Sequence, residues 1–136
     1  MLIEVKRLLT GLALLFAAPS ETWAQQTVIR LQCDGKYTDF SAGRDEFQSD
    51  GDFIEIGEST VRLFGFVWFG SDEGQTYRIS HNTNTGVGFI FPTDQSYSGH
   101  ISRLSGQLSI SAMDRTKKNK IRYFYDGVCR PAKPLF

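Results

Sequence analysis

The chain has 136 residues, and its 15 basic and 15 acidic side chains cancel to no net charge. No field of one sign exists to steer it to nucleic acid or to an anionic membrane. Only two cysteines are present, and aromatic residues make up 13% of the sequence, which suits one domain with a single hydrophobic core and no disulfide-rich scaffold.

The first segment reads as a leader. Lys6 and Arg7 precede an apolar run from Leu8 to Ala18 that only Thr10 and Gly11 interrupt, and Pro19 and Ser20 end it. This is the outline of a helical signal peptide, with Thr22 and Ala24 at the small-residue positions before a cut. Residues 1–24 are therefore expected to be removed, leaving residues 25–136 as a single all-β domain, periplasmic or secreted. The apolar run is shorter than the roughly 20 residues a membrane span needs. The segment Arg30-Leu31-Gln32-Cys33 lacks the small residues of a lipid-attachment box, so no membrane span or anchor is expected after signal removal. The leader takes two charges of each sign with it (Lys6 and Arg7, Glu4 and Glu21), and the mature chain stays neutral.

Beyond the leader alanine is scarce, while Phe, Tyr, Ile, Val, Ser, Thr and Gly are frequent, which favours strands joined by turns. Val28–Cys33 alternates as a first strand, with Ile29, Leu31 and Cys33 on one face. Asp34-Gly35 reads as a turn, Tyr37 and Phe40 as a short second strand, and Ser41–Asp52 as a polar, mobile loop. Phe53–Ile56 is a strand. Val61–Phe69 is the most apolar run, with Val61, Leu63, Gly65, Val67 and Phe69 on one face and Phe64, Phe66 and Trp68 on the other. Three adjacent aromatics must be covered, either by the Ser41–Asp52 segment or a neighbouring strand, or else by a partner.

Ser71-Asp72-Glu73-Gly74 turns into Gln75–His81, and Asn82–Gly86 turns again into Val87–Phe91, where Pro92 removes a ladder donor. Tyr97–Leu104 and Gln107–Ala112 form the next hairpin around Ser105-Gly106. In the second of these strands Leu108, Ile110 and Ala112 alternate against Gln107, Ser109 and Ser111, so one side is wet. Asp114–Lys120 is a basic loop holding Arg115, Lys117, Lys118 and Lys120, better suited to guarding a sheet edge than to binding an anion. Ile121–Cys129 is the last strand. About eight strands at this spacing predict a small antiparallel β-barrel or sandwich, the barrel being favoured because the termini are tied together. That tie is the predicted disulfide, Cys33 in the first strand to Cys129 in the last, in an exported chain with no other cysteine.

The segments Cys33-Asp34-Gly35, Ile101–Gly106 and Tyr125–Phe136 resemble a family of small uncharacterised exported proteobacterial β proteins, which implies a periplasmic or secreted β domain without an assigned activity. Ser96-Tyr97-Ser98-Gly99 is similar to the Ser-x-Ser-Gly loop of periplasmic inhibitors of C-type lysozyme. That likeness implies a surface loop at Ser96, Ser98 and Gly99 that enters the lysozyme cleft.

Candidate chemistry is sparse. His81 and His100 fall on different strands and both cysteines are engaged, so no metal site is expected. Ser98, His100 and Asp94 could be written as a triad, but no nucleophile elbow accompanies them. The carboxylates gather in loops, and Asp50-Gly51-Asp52 lacks EF-hand spacing. The expected function is a binding or interaction module for an unknown protein or small apolar ligand, lysozyme among them, with no catalytic residues and no cofactor. A small envelope enzyme is the disfavoured alternative.

Overall fold

The alternation of apolar and polar side chains becomes eight strands in the computed structural model, which describes residues 27–117 and 119–132. The expected signal peptide, Lys118 and the tail from Lys133 lie outside the described residues. In chain order the strands are β1 (Ile29–Asp39), β2 (Asp45–Ile56), β3 (Thr60–Phe64), β4 (Gln75–Asn82), β5 (Gly86–Ile90), β6 (Tyr97–Ser102), β7 (Gln107–Met113) and β8 (Ile121–Pro131). Each pairs antiparallel with the next, and β8 closes on β1, giving an up-and-down barrel with no free edge.

The seam between β1 and β8 runs from Leu31 opposite Pro131 to Asp39 opposite Tyr123. Cys33 and Cys129 are directly paired on it and form the disulfide, joining residues 96 apart in sequence. Inward positions of every strand fill the interior, with Ile54, Val61, Leu63, Leu108, Ile110, Tyr37 and Tyr125 all fully buried.

Three local expectations are corrected. Asp34-Gly35 is not a turn: β1 runs straight through it in unbroken register with β8, and the register shift opposite it is a bulge in β2, where Asp50 and Gly51 (φ of 81°) face the single residue Asp34. The extra residue is taken up by β2, so β1 keeps a ladder on both sides through its turn-like pair, which a turn signal alone does not reveal. The Ser41–Asp52 segment is not a loop either. Only the tip between Asp39 and Asp45 is a turn, and the rest is β2, paired residue by residue from Asp45 opposite Asp39 to Gln48 opposite Lys36. Its polarity reflects exposure of that end of the hairpin, not lack of a ladder.

The third correction concerns the apolar run. Its strand stops at Phe64, because Gly65 adopts φ of 82° and turns the chain inward. Phe64, Phe66 and Trp68 therefore do not share a face. Phe64 stays on the outer wall beneath the guanidinium groups of Arg30 and Arg62. Phe66 and Phe69 are each only 1% exposed and project into the barrel, while Val67 points out. The amides of Phe69 and Gly70 both bond back to the Phe66 carbonyl, so residues 66–70 form a single tight turn that plugs one end of the barrel.

Two tyrosines pin this plug. Tyr77 donates its hydroxyl to the Phe69 carbonyl at 2.8 Å. Tyr37 accepts from the Val67 amide at 3.2 Å and donates to Asp52 Oδ2 at 2.7 Å. Within the same turn, Trp68 stacks on Tyr123 with ring centroids 4.2 Å apart and meets Phe47 edge-on. The covering of Trp68 thus comes from β2 and β8, as the Ser41–Asp52 expectation allowed. Trp68 has φ of 71°, an unfavourable backbone for a bulky residue, held by these ring contacts.

Candidate functional site

The two ends of the barrel are chemically different. The plugged end is packed with Tyr, Phe and Trp rings, whereas the opposite end is lined by smaller aliphatic side chains and remains open as a cavity of about 330 Å³. Its walls are Ile29 and Leu31 from β1, Ile56 from β2, Val87 from β5, Ile101 from β6 and Pro131 from β8, with Cys129 at the disulfide. Arg103, Ser105 and Gly106 from the β6–β7 turn and Arg130 from β8 complete its lining. A concave, mostly apolar site with a few polar groups is the usual form of a small-molecule site.

The rim has a built element. Arg103 donates through Nε to the Thr83 carbonyl at 2.9 Å and through Nη2 to Asn82 Oδ1 at 2.6 Å, which fixes it against the β4–β5 turn. The Arg103 amide also bonds to the Thr85 carbonyl. Arg130 lies 3.7 Å from Asp34 Oδ2, an exposed and therefore weak ion pair. Val28, Ile29 and Leu104 are exposed at this same end, Leu104 by 81%. An open end therefore presents apolar surface and two cations together.

The plugged end carries a polar network that sequence reasoning missed. Asp52 is only 8% exposed, bonded by Tyr37 and by Ser49 Oγ at 3.3 Å. Burial raises its carboxyl above the ordinary aspartate range, opposed by the hydrogen bonds from Tyr37 and Ser49. Burial, then the neighbouring Asp52, drives the Tyr37 phenol far up. Tyr125, 4.8 Å from Tyr37 between ring centroids, has a fully buried hydroxyl with no hydrogen-bond partner among the described residues. Its phenol is also raised, chiefly by burial. No signal in the chain separates Asp52 from the other loop-like carboxylates around it.

The remaining sequence candidates are dispersed. Ser96–Gly99 is not a surface loop. Ser96 sits in a turn, bonding Asp94 through its hydroxyl at 2.6 Å, and from Tyr97 onward the segment is β6. Ser98 is paired between Ile90 and Ser111, and Gly99 lies against the Phe89 ring. The ladder on both sides captures this stretch, so a cleft-entering loop is not formed there. Asp94 is bonded to Ser96 and paired with Arg115, and these contacts, Ser96 first, hold its carboxyl below the ordinary range. It does not reach His100, whose ring instead faces His81.

Among the described residues, no helix is long and apolar enough to cross a membrane, and no group of three or more His, Cys, Asp or Glu side chains converges for a metal ion. No family model, curated protein or solved structure matches the chain. The functional reading therefore rests on the fold and on this cavity.

Proposed function

We propose that this chain is an exported binding module whose open barrel mouth takes a small, mainly apolar molecule carrying one anionic group. The observation behind it is the pairing of an aliphatic cavity with Arg103 and Arg130. Aliphatic walls favour an apolar body, at roughly 25 cal/mol for each Å² removed from water. Guanidinium groups favour a carboxylate or similar head, which they bind through paired donors. A buried-seam disulfide supports an oxidising compartment, since such bonds persist outside the reducing cytosol.

The test uses 8-anilinonaphthalene-1-sulfonate, which is itself an apolar body with one anionic group. Saturable one-to-one binding is expected, displaced by medium-chain alkyl carboxylates much better than by alkanols of equal length. Arg103→Gln with Arg130→Gln should erase that preference, and Leu31→Trp should block the mouth. Near-UV circular dichroism on each variant separates this from dye uptake by a loosened core. Absence of saturable binding, or displacement that ignores both head-group charge and Leu31→Trp, would refute the reading. A lysozyme activity assay in parallel tests the resemblance-based alternative, which would need a surface other than β6.

A further inference from the structure

Two histidines that are far apart in sequence meet on the outer wall just below the open end. His81 on β4 is paired with Gly88 on β5, and Gly88 is paired with His100 on β6. One cross-strand row thus reads His81, Gly88, His100. The two imidazoles lie nearly parallel, 27° between planes, with centroids 5.6 Å apart.

The floor under them is made of glycine. Gly86 and Gly88 face outward, since their neighbours Val87 and Phe89 fill the core. A Cβ at Gly88 would collide with the His81 ring, and one at Gly86 with the nitrogen edge of His100. Each strand glycine costs on the order of 0.5–1 kcal/mol against alanine, so two in alternation call for something that needs the close approach. Here that something is a pair of imidazoles laid over the bare backbone. Ser80 Oγ stands 3.4 Å from His81 Nδ1, an outer partner of the kind that leaves the other ring nitrogen to ligate.

We propose that His81 and His100 form a two-histidine site for a divalent transition metal ion, copper, nickel or zinc, with the remaining coordination positions open to water or to a ligand. A shared ion at about 2.0–2.1 Å from each donor needs the two nitrogens no more than about 4.2 Å apart. The rings are exposed with centroids 5.6 Å apart, and because their nitrogen edges lie over Gly88 and Gly86, each must rotate about its side-chain bonds to turn a nitrogen toward a shared ion. Imidazole donors suit these metals, and affinity should fall from copper to nickel and zinc. The site lies outside the cavity and does not depend on what the mouth binds.

The experiment titrates the tag-free, oxidised protein with Cu²⁺, Ni²⁺ and Zn²⁺ in turn by calorimetry. One ion per chain is expected. His81→Ala or His100→Ala should weaken binding by about 100-fold, because each turns two-point attachment into one-point attachment. Gly88→Ala should weaken it while both histidines remain, a result that simple loss of a donor cannot produce. Cu²⁺ should broaden the amide resonances of Gly86, Gly88 and Ser102 before others. No saturable binding, full affinity in the His81→Ala/His100→Ala double variant, or broadening centred elsewhere would overturn the assignment.

Discussion

Tyr37 and Tyr125 are adjacent, equally buried tyrosines on β1 and β8, yet removing their hydroxyls should have opposite consequences. In Tyr37→Phe, Asp52 loses its 2.7 Å donor and keeps only Ser49 at 3.3 Å, while remaining 8% exposed. A hydrogen bond to a charged group contributes about 1.5–3 kcal/mol, and a buried acceptor stripped of its donor bears its own desolvation cost. The Val67 amide also loses an acceptor, but Val67 is 41% exposed and water can replace it. The net expectation is a loss of about 2–3 kcal/mol, on the order of 10 °C in Tm for a domain of about a hundred residues. Tyr125→Phe removes a hydroxyl that has no partner, so it should be neutral or slightly stabilising. Urea denaturation followed by Trp68 fluorescence measures both, with a shift in midpoint at unchanged slope. Equal losses in the two variants would refute the role given to the Tyr37–Asp52 bond.

Asp52→Asn keeps an acceptor for Tyr37 and removes a buried charge. Because the folded pKa of Asp52 is raised, its protonated form favours the fold, and stability is lost as pH rises through that folded pKa. The Asn variant should therefore be more stable than wild type at pH 7 and lose its advantage below about pH 3.9, where aspartate is protonated in both states; equilibrium unfolding at several pH values checks this. Cys33→Ser with Cys129→Ser opens a loop spanning 96 residues, for which chain entropy predicts a loss of up to about 4–5 kcal/mol, measurable as a lowered urea midpoint. Two free thiols in protein purified without reductant would contradict the seam bridge. Arg115→Ala breaks the exposed pair with Asp94, and its Tm should be indistinguishable from that of wild type, because an exposed ion pair contributes little.

How far the chain could be read depended on whether a feature is local. β7 announced itself by Leu108, Ile110 and Ala112, and the hairpin turns at Ser71–Gly74 and Asn82–Gly86 by their residue types. The terminal cysteines marked the seam, since two strands that close a barrel must meet and each carried one thiol. Strict alternation misplaces Phe66, because a single left-handed residue at Gly65 reverses which side the following rings take. Asp52 looked like its neighbours because burial at that position arises from a bulged register with β1 and from the plug folding over it, neither visible in its own segment. The histidine pair was unreadable for a related reason: only the paired registers of β4, β5 and β6 put His81 and His100 in one row.

Side-chain size distributes the functions between the two ends. At one end, large rings from Tyr37, Phe66, Phe69, Tyr77 and Tyr125 fill the interior, and the hollow of about 250 Å³ left beside the plug is walled by Trp68, Phe69, Tyr77, Phe91 and Tyr97. At the other, Ile29, Leu31, Ile56, Val87 and Ile101 are too short to meet, and the space between them is the cavity. Stability and binding should then be separable by mutation. Phe66→Ala removes a ring that is 1% exposed and packs edge-on against Tyr125 at 5.1 Å, so it should cost about 3–5 kcal/mol. Because that ring belongs to the far end, the folded fraction of the variant should bind a mouth ligand with wild-type affinity. Measuring stability by urea and affinity by dye titration on the same samples decides the point. A Phe66→Ala variant that stays folded but binds much more weakly would mean the interior transmits the plug's packing to the mouth, and that the two ends do not act independently.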